Sequence, residues 1–188
     1  QLEIGVFSGF GTEVNDLRVD LRRRSAGWLL GLQSETVAGK VRLPDAENEP
    51  IVLDLSHLRF PAAEPKDTNA PPQDPLAGVD PKELPALDIS VDELFRSDEL
   101  LGSGALKMRP SVEGVAFQEL DLNLKGLKLK GSGGWDGVRT RYKGRLEGGN
   151  LADVLLAWGF APSTTSEDFR LDVDGGWSGS PALFALNR

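Results

Sequence analysis

The chain has 188 residues, 39% hydrophobic and 27% charged, which suits one large or two small globular units. Its net charge of −8 argues against nucleic-acid binding through a basic field, and the absence of cysteine excludes disulfides and thiolate metal sites. A single histidine, His57, excludes sites that need several imidazoles, and no run reaches the ~18–20 apolar residues of a membrane-spanning helix.

No signal-peptide pattern is read in the residues given, whose first is Gln1 rather than Met. Both ends are expected to be cuts from a longer protein. From the N-terminus, apolar residues recur at every second position. Leu2, Ile4 and Val6 share one parity, followed by Leu17, Val19 and Leu21, then Trp28, Leu30 and Leu32. Val37, Val41 and Leu43 come next, then Ile51, Leu53 and Leu55. Successive strand side chains point to opposite faces, so each set predicts a half-buried antiparallel strand.

The pattern stops at 61–85, which holds seven of the chain's 12 prolines. This stretch is predicted to be a mobile loop or linker between an N-terminal β segment, 1–60, and a C-terminal one, 86–188. Alternation then resumes with Leu87, Ile89 and Val91. The stretch 92–101 reads equally as a weak helix or a loop. Leu106 and Met108 form a short strand. Val115 and Phe117 lead to Leu120, Leu122 and Leu124, with a parity change at Gln118-Glu119 that predicts a bulge. Lys125-Gly126 is a tight turn or a second bulge.

The next unit occurs twice, 42 residues apart: Leu127 to Gly137, containing Gly-Gly-Trp135, and Phe169 to Gly179, containing Gly-Gly-Trp177. In both copies the apolar residues share one parity: Leu127, Leu129 and Trp135, then Phe169, Leu171, Val173 and Trp177. A two-residue turn at Asp136-Gly137 would set Trp135 opposite Val138 and move apolar parity to even numbers. Val138, Tyr142 and Leu146 obey this forecast, as do Ala182, Phe184 and Leu186 after Ser178-Gly179. Between the copies, Asn150 as N-cap and Leu151, Val154, Leu155 and Trp158 at helical spacing predict one short helix over 150–159. The fold expected is a mainly β antiparallel meander with one apolar face.

Chemistry-bearing constellations are weak. His57 reads as a structural or surface side chain. Asp88, Ser90, Asp92 and Glu93 lack the spacing of a calcium loop, and the glycines at 131, 133 and 134 precede a turn rather than a phosphate-binding helix. No catalytic residue, metal site or cofactor is expected. Lys128, Lys130, Arg139, Arg141, Lys143 and Arg145 make one polar face basic. That face suits anionic headgroups, but Asp172 and Asp174 as cross-strand partners are the stronger reading. Trp28, Trp135 and Trp177 suit either a core or a groove.

Leu84-Pro-Ala-Leu-Asp-Ile-Ser-Val-Asp-Glu-Leu94, the Gly131 to Gly137 turn and the Leu151–Trp158 helix followed by Gly159-Phe-Ala-Pro, together with Trp177-Ser-Gly-Ser-Pro-Ala-Leu-Phe184, resemble the AsmA-like family of the YhdP type. Gly27-Trp28-Leu and Val37 to Pro44 are also similar to it. The resemblance implies a Gram-negative envelope protein, anchored in the inner membrane and crossing the periplasm. It implies a curved, taco-like sheet whose apolar groove carries phospholipids between the inner and outer membranes, without enzymatic activity. The expected groove lining is Leu87, Ile89, Val91, Leu106, Met108, Phe117, Leu120, Leu122, Leu124, Leu127, Leu129, Val138, Tyr142, Leu146, Phe169, Leu171 and Val173. Trp135 and Trp177 are expected at its rim, and the helix is expected to plug or line it. Phospholipid acyl chains are the expected partner, with self-association through exposed edge strands. A β-sandwich scaffold without cargo and a carbohydrate-binding module remain the alternatives.

Overall fold

The structure, a computed structural model, describes residues 2–9, 12–60, 74, 76–162 and 166–181. Eleven strands lie side by side in chain order in one open sheet. They are β1 (Leu2–Gly9), β2 (Thr12–Arg24), β3 (Gly27–Gln33), β4 (Val37–Pro44), β5 (Ile51–Phe60) and β6 (Leu87–Arg96). After them come β7 (Glu99–Pro110), β8 (Val115–Leu124), β9 (Leu127–Trp135), β10 (Arg139–Gly148) and β11 (Phe169–Ser178). The one α-helix among the described residues, α1 (Leu151–Ala157), lies between β10 and β11.

Neighbouring strands are antiparallel except at β5–β6, which pair in parallel with a constant offset from Ile51↔Leu87 to Phe60↔Arg96. A parallel pair needs a crossover from one end of the strands back to the other. Here residues 61–86 supply it. Most of the segment expected to be mobile, 61–73 and 75, lies outside the described residues. Its described end is ordered into a 3-10 turn, Pro81–Glu83, capped by the Asp80 carboxylate, which accepts the Lys82 N–H at 2.9 Å. Hydrogen bonding in the sheet runs without a break from β5 into β6.

The bulge expected at Gln118-Glu119 is present, since Phe117 pairs with Gly133 and Leu120 with Gly131. A second irregularity skips residues on β5 and β6 together: Leu55 and Leu58 face Gly39 and Val37, and Val91 and Leu94 face Gly104 and Gly102. Extra residues of this kind bend a strand and increase its twist. His57 falls inside the bulge opposite Ala38, so it leaves the parity of Leu53 and Leu55. Its Nε2 lies 3.2 Å from the Ser34 carbonyl oxygen. Residues 92–101 form the end of β6, a two-residue turn and the start of β7, neither helix nor loop.

Lys125-Gly126 resolves as the tight turn. Leu124 pairs with Leu127, and φ is 47° at Lys125 and 81° at Gly126. Two positive φ values in a two-residue loop are the geometry that matches strand twist, and glycine at the second position removes the Cβ clash. Asp136-Gly137 is different, and here the sequence forecast fails. Trp135 pairs with Thr140, not Val138. The loop has four residues, because the Asp136 carboxylate accepts the N–H groups of Val138 at 2.9 Å and Arg139 at 2.7 Å. Val138 therefore projects from the loop and is 76% exposed. Two- and four-residue loops leave the same parity behind them, so Tyr142 and Leu146 keep the expected face. The second forecast, on Ala182, Phe184 and Leu186, lies outside the described residues.

The helix starts where expected. The Asn150 side chain accepts the Ala152 N–H at 2.9 Å, Ala152 and Val154 are buried, and Gly159 follows with φ 80°. It is tied to the β8–β9 turn. Lys125 Nζ donates to the Ala157 carbonyl at 2.9 Å, pairs with Glu99, and lies 5.8 Å from the centre of the Trp158 ring.

Glycines on the apolar face give room to large neighbours. An added Cβ at Gly144 would lie 2.1 Å from the Tyr142 hydroxyl, and one at Gly131 would lie 2.6 Å from the same atom. The Tyr142 ring thus lies across both strands and donates to the Lys130 carbonyl at 3.2 Å. Gly144→Val should expel the ring and strain the β9–β10 ladder, costing about 1–3 kcal/mol, as overpacking usually does. A thermal melt of Gly144→Val that superimposes on the parent would refute this packing.

Candidate functional site

The register defines two chemically different faces. On one, a single row crosses the sheet: Val19↔Leu32, Leu32↔Gly39, Gly39↔Leu55 and Leu55↔Val91. It continues through Val91↔Gly104, Gly104↔Leu122, Leu122↔Leu129, Leu129↔Leu146 and Leu146↔Leu171. Every member is apolar or glycine over the ten strands from β2 to β11, and the register extends to Leu2 on β1. At ~4.8 Å per strand the row is roughly 43 Å long. A bilayer core of ~30 Å holds two leaflets, so one acyl chain reaches about 15 Å. The row is longer than any single lipid tail.

Parallel rows widen it. Leu21, Leu30, Val41, Leu53, Ile89, Leu106, Leu120, Gly131, Gly144 and Val173 are successive partners on one side. On the other side run Leu58, Leu94, Gly102, Leu124, Leu127, Gly148 and Phe169. Leu87, Met108, Phe117, Gly133 and Tyr142 form a further row. These rows bring the expected lining residues onto one face, apart from Val138 in its loop. They also bring in residues that the expected lining omitted: the N-terminal set from Leu21 to Leu55, and the glycines 104, 131 and 144. Shared parity with Leu127, Leu129 and Trp135 was the signal that could have marked Gly131.

The opposite face is wet and electrostatically matched. Arg145 Nε lies 2.7 Å from Asp172, Lys143 Nζ 3.4 Å from Asp174, Lys130 Nζ 2.7 Å from Asp121 and Lys107 Nζ 2.6 Å from Glu119. Arg170 reaches Glu147 at 2.9 Å. Hydrogen bonding from Arg145 holds the Asp172 carboxyl below its usual range, and Glu119 raises Lys107 in the same way. The cross-strand reading of the basic residues accounts for Lys143 and Arg145.

At the strand ends where β7, β9 and β11 finish, the apolar face has a cover. Met108, Val115 and Trp135 are buried there, and Leu76, Val79 and Leu84 pack on them beside Leu87, Leu106 and Phe117. Trp135 is 4% exposed, which leaves its ring unavailable for stacking on a sugar. Trp177, half-buried, donates from Nε1 to the Ser180 carbonyl at 2.9 Å. Asp74 ties the cover to this point: it accepts the Ser180 N–H at 2.9 Å and the Ser180 hydroxyl at 2.5 Å. Desolvation pushes the Asp74 carboxyl up, but these bonds and one from the Leu76 N–H outweigh it and leave it below the ordinary range. The sequence signal for this cover was slight: three apolar residues among the prolines.

In the β2–β5 half the same face mixes buried Leu17, Val41 and Leu55 with exposed Leu21 and Trp28. Trp28, facing Arg23 and Leu43, is 41% exposed, with the Arg23 guanidinium 5.2 Å from its ring centre. Arg23 is itself held by Asp45 through contacts of 2.6 and 2.7 Å. Among the described residues there is no cluster of three or more metal-ligating side chains, and no helix is long and apolar enough to cross a membrane.

A family model described as YhdP protein matches the whole chain, residues 1–188. No curated protein and no solved structure matches it.

Proposed function

The chain belongs to the YhdP family, and on that premise we propose that it is a segment of a bridge-like lipid-transport protein of the bacterial envelope. Its cargo is phospholipid. The acyl chains lie on the apolar face, the headgroups stay in water, and the full-length protein spans the periplasm from an inner-membrane anchor towards the outer membrane. The observation that carries this reading is the apolar row from Val19 to Leu171, continuous through ten paired strands.

Moving a lipid tail through water costs free energy in proportion to the apolar area exposed, about 25 cal/mol per Å². A continuous apolar lining removes that cost at every step along the row. Nothing in such movement needs a nucleophile, a general base or a metal, so the reading is non-enzymatic. The opposite face, with its cross-strand salt bridges, keeps the sheet wettable.

Native mass spectrometry of the purified chain tests this. Phospholipid that stays bound through purification, or rebinds after delipidation, is expected. A chain that stays empty when offered phospholipid would sink the proposal for this segment and favour a scaffold.

A further inference from the structure

We infer that Asp74 and residues 76–80 act as an internal competitor for acyl chains: a strap, latched by Ser180, that occupies one side of the apolar face and must leave before lipid can use it. The inference rests on the lipid reading above. Leu76, Val79 and Leu84 already fill the surface of Met108, Val115 and Trp135 with aliphatic side chains. A lipid tail would make the same kind of contact with the same residues, and both cannot do so at once.

The strap has two anchors of different kinds. At one end the chain passes through the 3-10 turn, where buried Pro81 packs close to Gly114 and Gly137, and continues covalently into β6. That end, with Leu84, cannot leave, so the side chains that a lipid tail can displace are Leu76 and Val79. At the other end the attachment among the described residues is the pair of hydrogen bonds from Ser180 to Asp74, between residues 106 positions apart. Ser180 is 0% exposed, so water does not compete for them while the strap is down. A fixed hinge with a breakable, shielded latch makes the strap a two-position element. The row through Leu122, Leu129, Leu146 and Leu171 lies outside this packed cluster, and Leu171 is 57% exposed. Lipid can therefore load that row first, with the strap's side opening second.

Quenching of single tryptophans by a phospholipid brominated on its acyl chains tests the strap. Two reporter proteins are needed, one retaining only Trp28 and one only Trp135, with the other tryptophans changed to Phe. With the latch intact, Trp28 should be quenched and Trp135 shielded. Asp74→Ala should raise Trp135 quenching several-fold while Trp28 is unchanged, which also shows that the sheet persists. Ser180→Ala, which removes only the hydroxyl bond, should move Trp135 in the same direction by less and serves if Asp74→Ala fails to fold. Trp135 quenched equally with the latch intact, or shielded in both latch variants while Trp28 responds, overturns the strap. No quenching at Trp28 in any protein overturns the lipid reading instead.

Discussion

Leu129→Asp should empty the apolar face of lipid. Leu129 stands in the row between Leu122 on β8 and Leu146 on β10, near the centre of β6–β11. A carboxylate placed among acyl chains costs about 2.5–3.5 kcal/mol on insertion scales. At 1.4 kcal/mol per tenfold, that is roughly a hundredfold loss of occupancy. The fold should tolerate the change better than the cargo does, because Leu129 is only half-buried and its neighbours in the row face the same open side. The control is one residue away. Lys128 points to the wet face opposite Glu147, so Lys128→Gln should leave loading unchanged. Counting bound phospholipid per chain by mass spectrometry decides between them. Equal loading of Leu129→Asp and the parent would mean that lipid does not use this row.

That contrast between adjacent residues follows from parity, and parity was the part of the fold written most openly in the sequence. Leu127, Leu129, Trp135, Leu146 and Leu171 alternate with Lys128, Lys130, Arg145 and Asp172 because one face of the sheet is wet and the other is not. The Gln118-Glu119 bulge was visible because an extra residue shifts that parity, and the α1 start was visible because Asn150 caps it. Loop length behind a constant parity was not visible. The Asp136 side chain satisfies two backbone N–H groups and so stabilises a four-residue loop where Asp-Gly suggested two.

Long-range pairing was hidden for a different reason. Nothing local in Ile51–Phe60 or Leu87–Arg96 says that these strands lie parallel, since that depends on whether the connection returns to the end of the sheet where β5 began. Once the pairing is parallel, the connection has to pass from one end of the strands to the other, and its few apolar residues find the apolar face. Leu76, Val79 and Leu84 thereby become part of the site, although their sequence neighbourhood is that of a solvated linker.

Trp135 is where the repeat, the cover and the apolar face meet, and Trp135→Ala should be the most destabilising single change in this region. The side chain is 4% exposed and contacts a cluster with Met108 and Val115 that also seats Leu76, Val79 and Leu84. Core Trp→Ala changes cost about 3–5 kcal/mol, against a total stability of about 5–15 kcal/mol. For a chain of 188 residues that lowers the melting temperature by roughly 10 °C. Trp135→Phe should cost far less. Phenylalanine keeps most of the ring contact and removes the indole N–H, which is buried without a hydrogen-bond partner among the described residues. The equivalent residue of the second repeat gives the comparison that isolates the cover. Trp177 aligns with Trp135 across Thr140 but is only half-buried, and its N–H is already used on Ser180. Trp177→Ala should therefore lower the melting temperature by a smaller amount. Differential scanning calorimetry of the three variants checks the order Trp135→Ala, Trp177→Ala, Trp135→Phe from largest loss to smallest. If Trp135→Ala melts with the parent, the cluster at this end of the sheet does not hold the strap down.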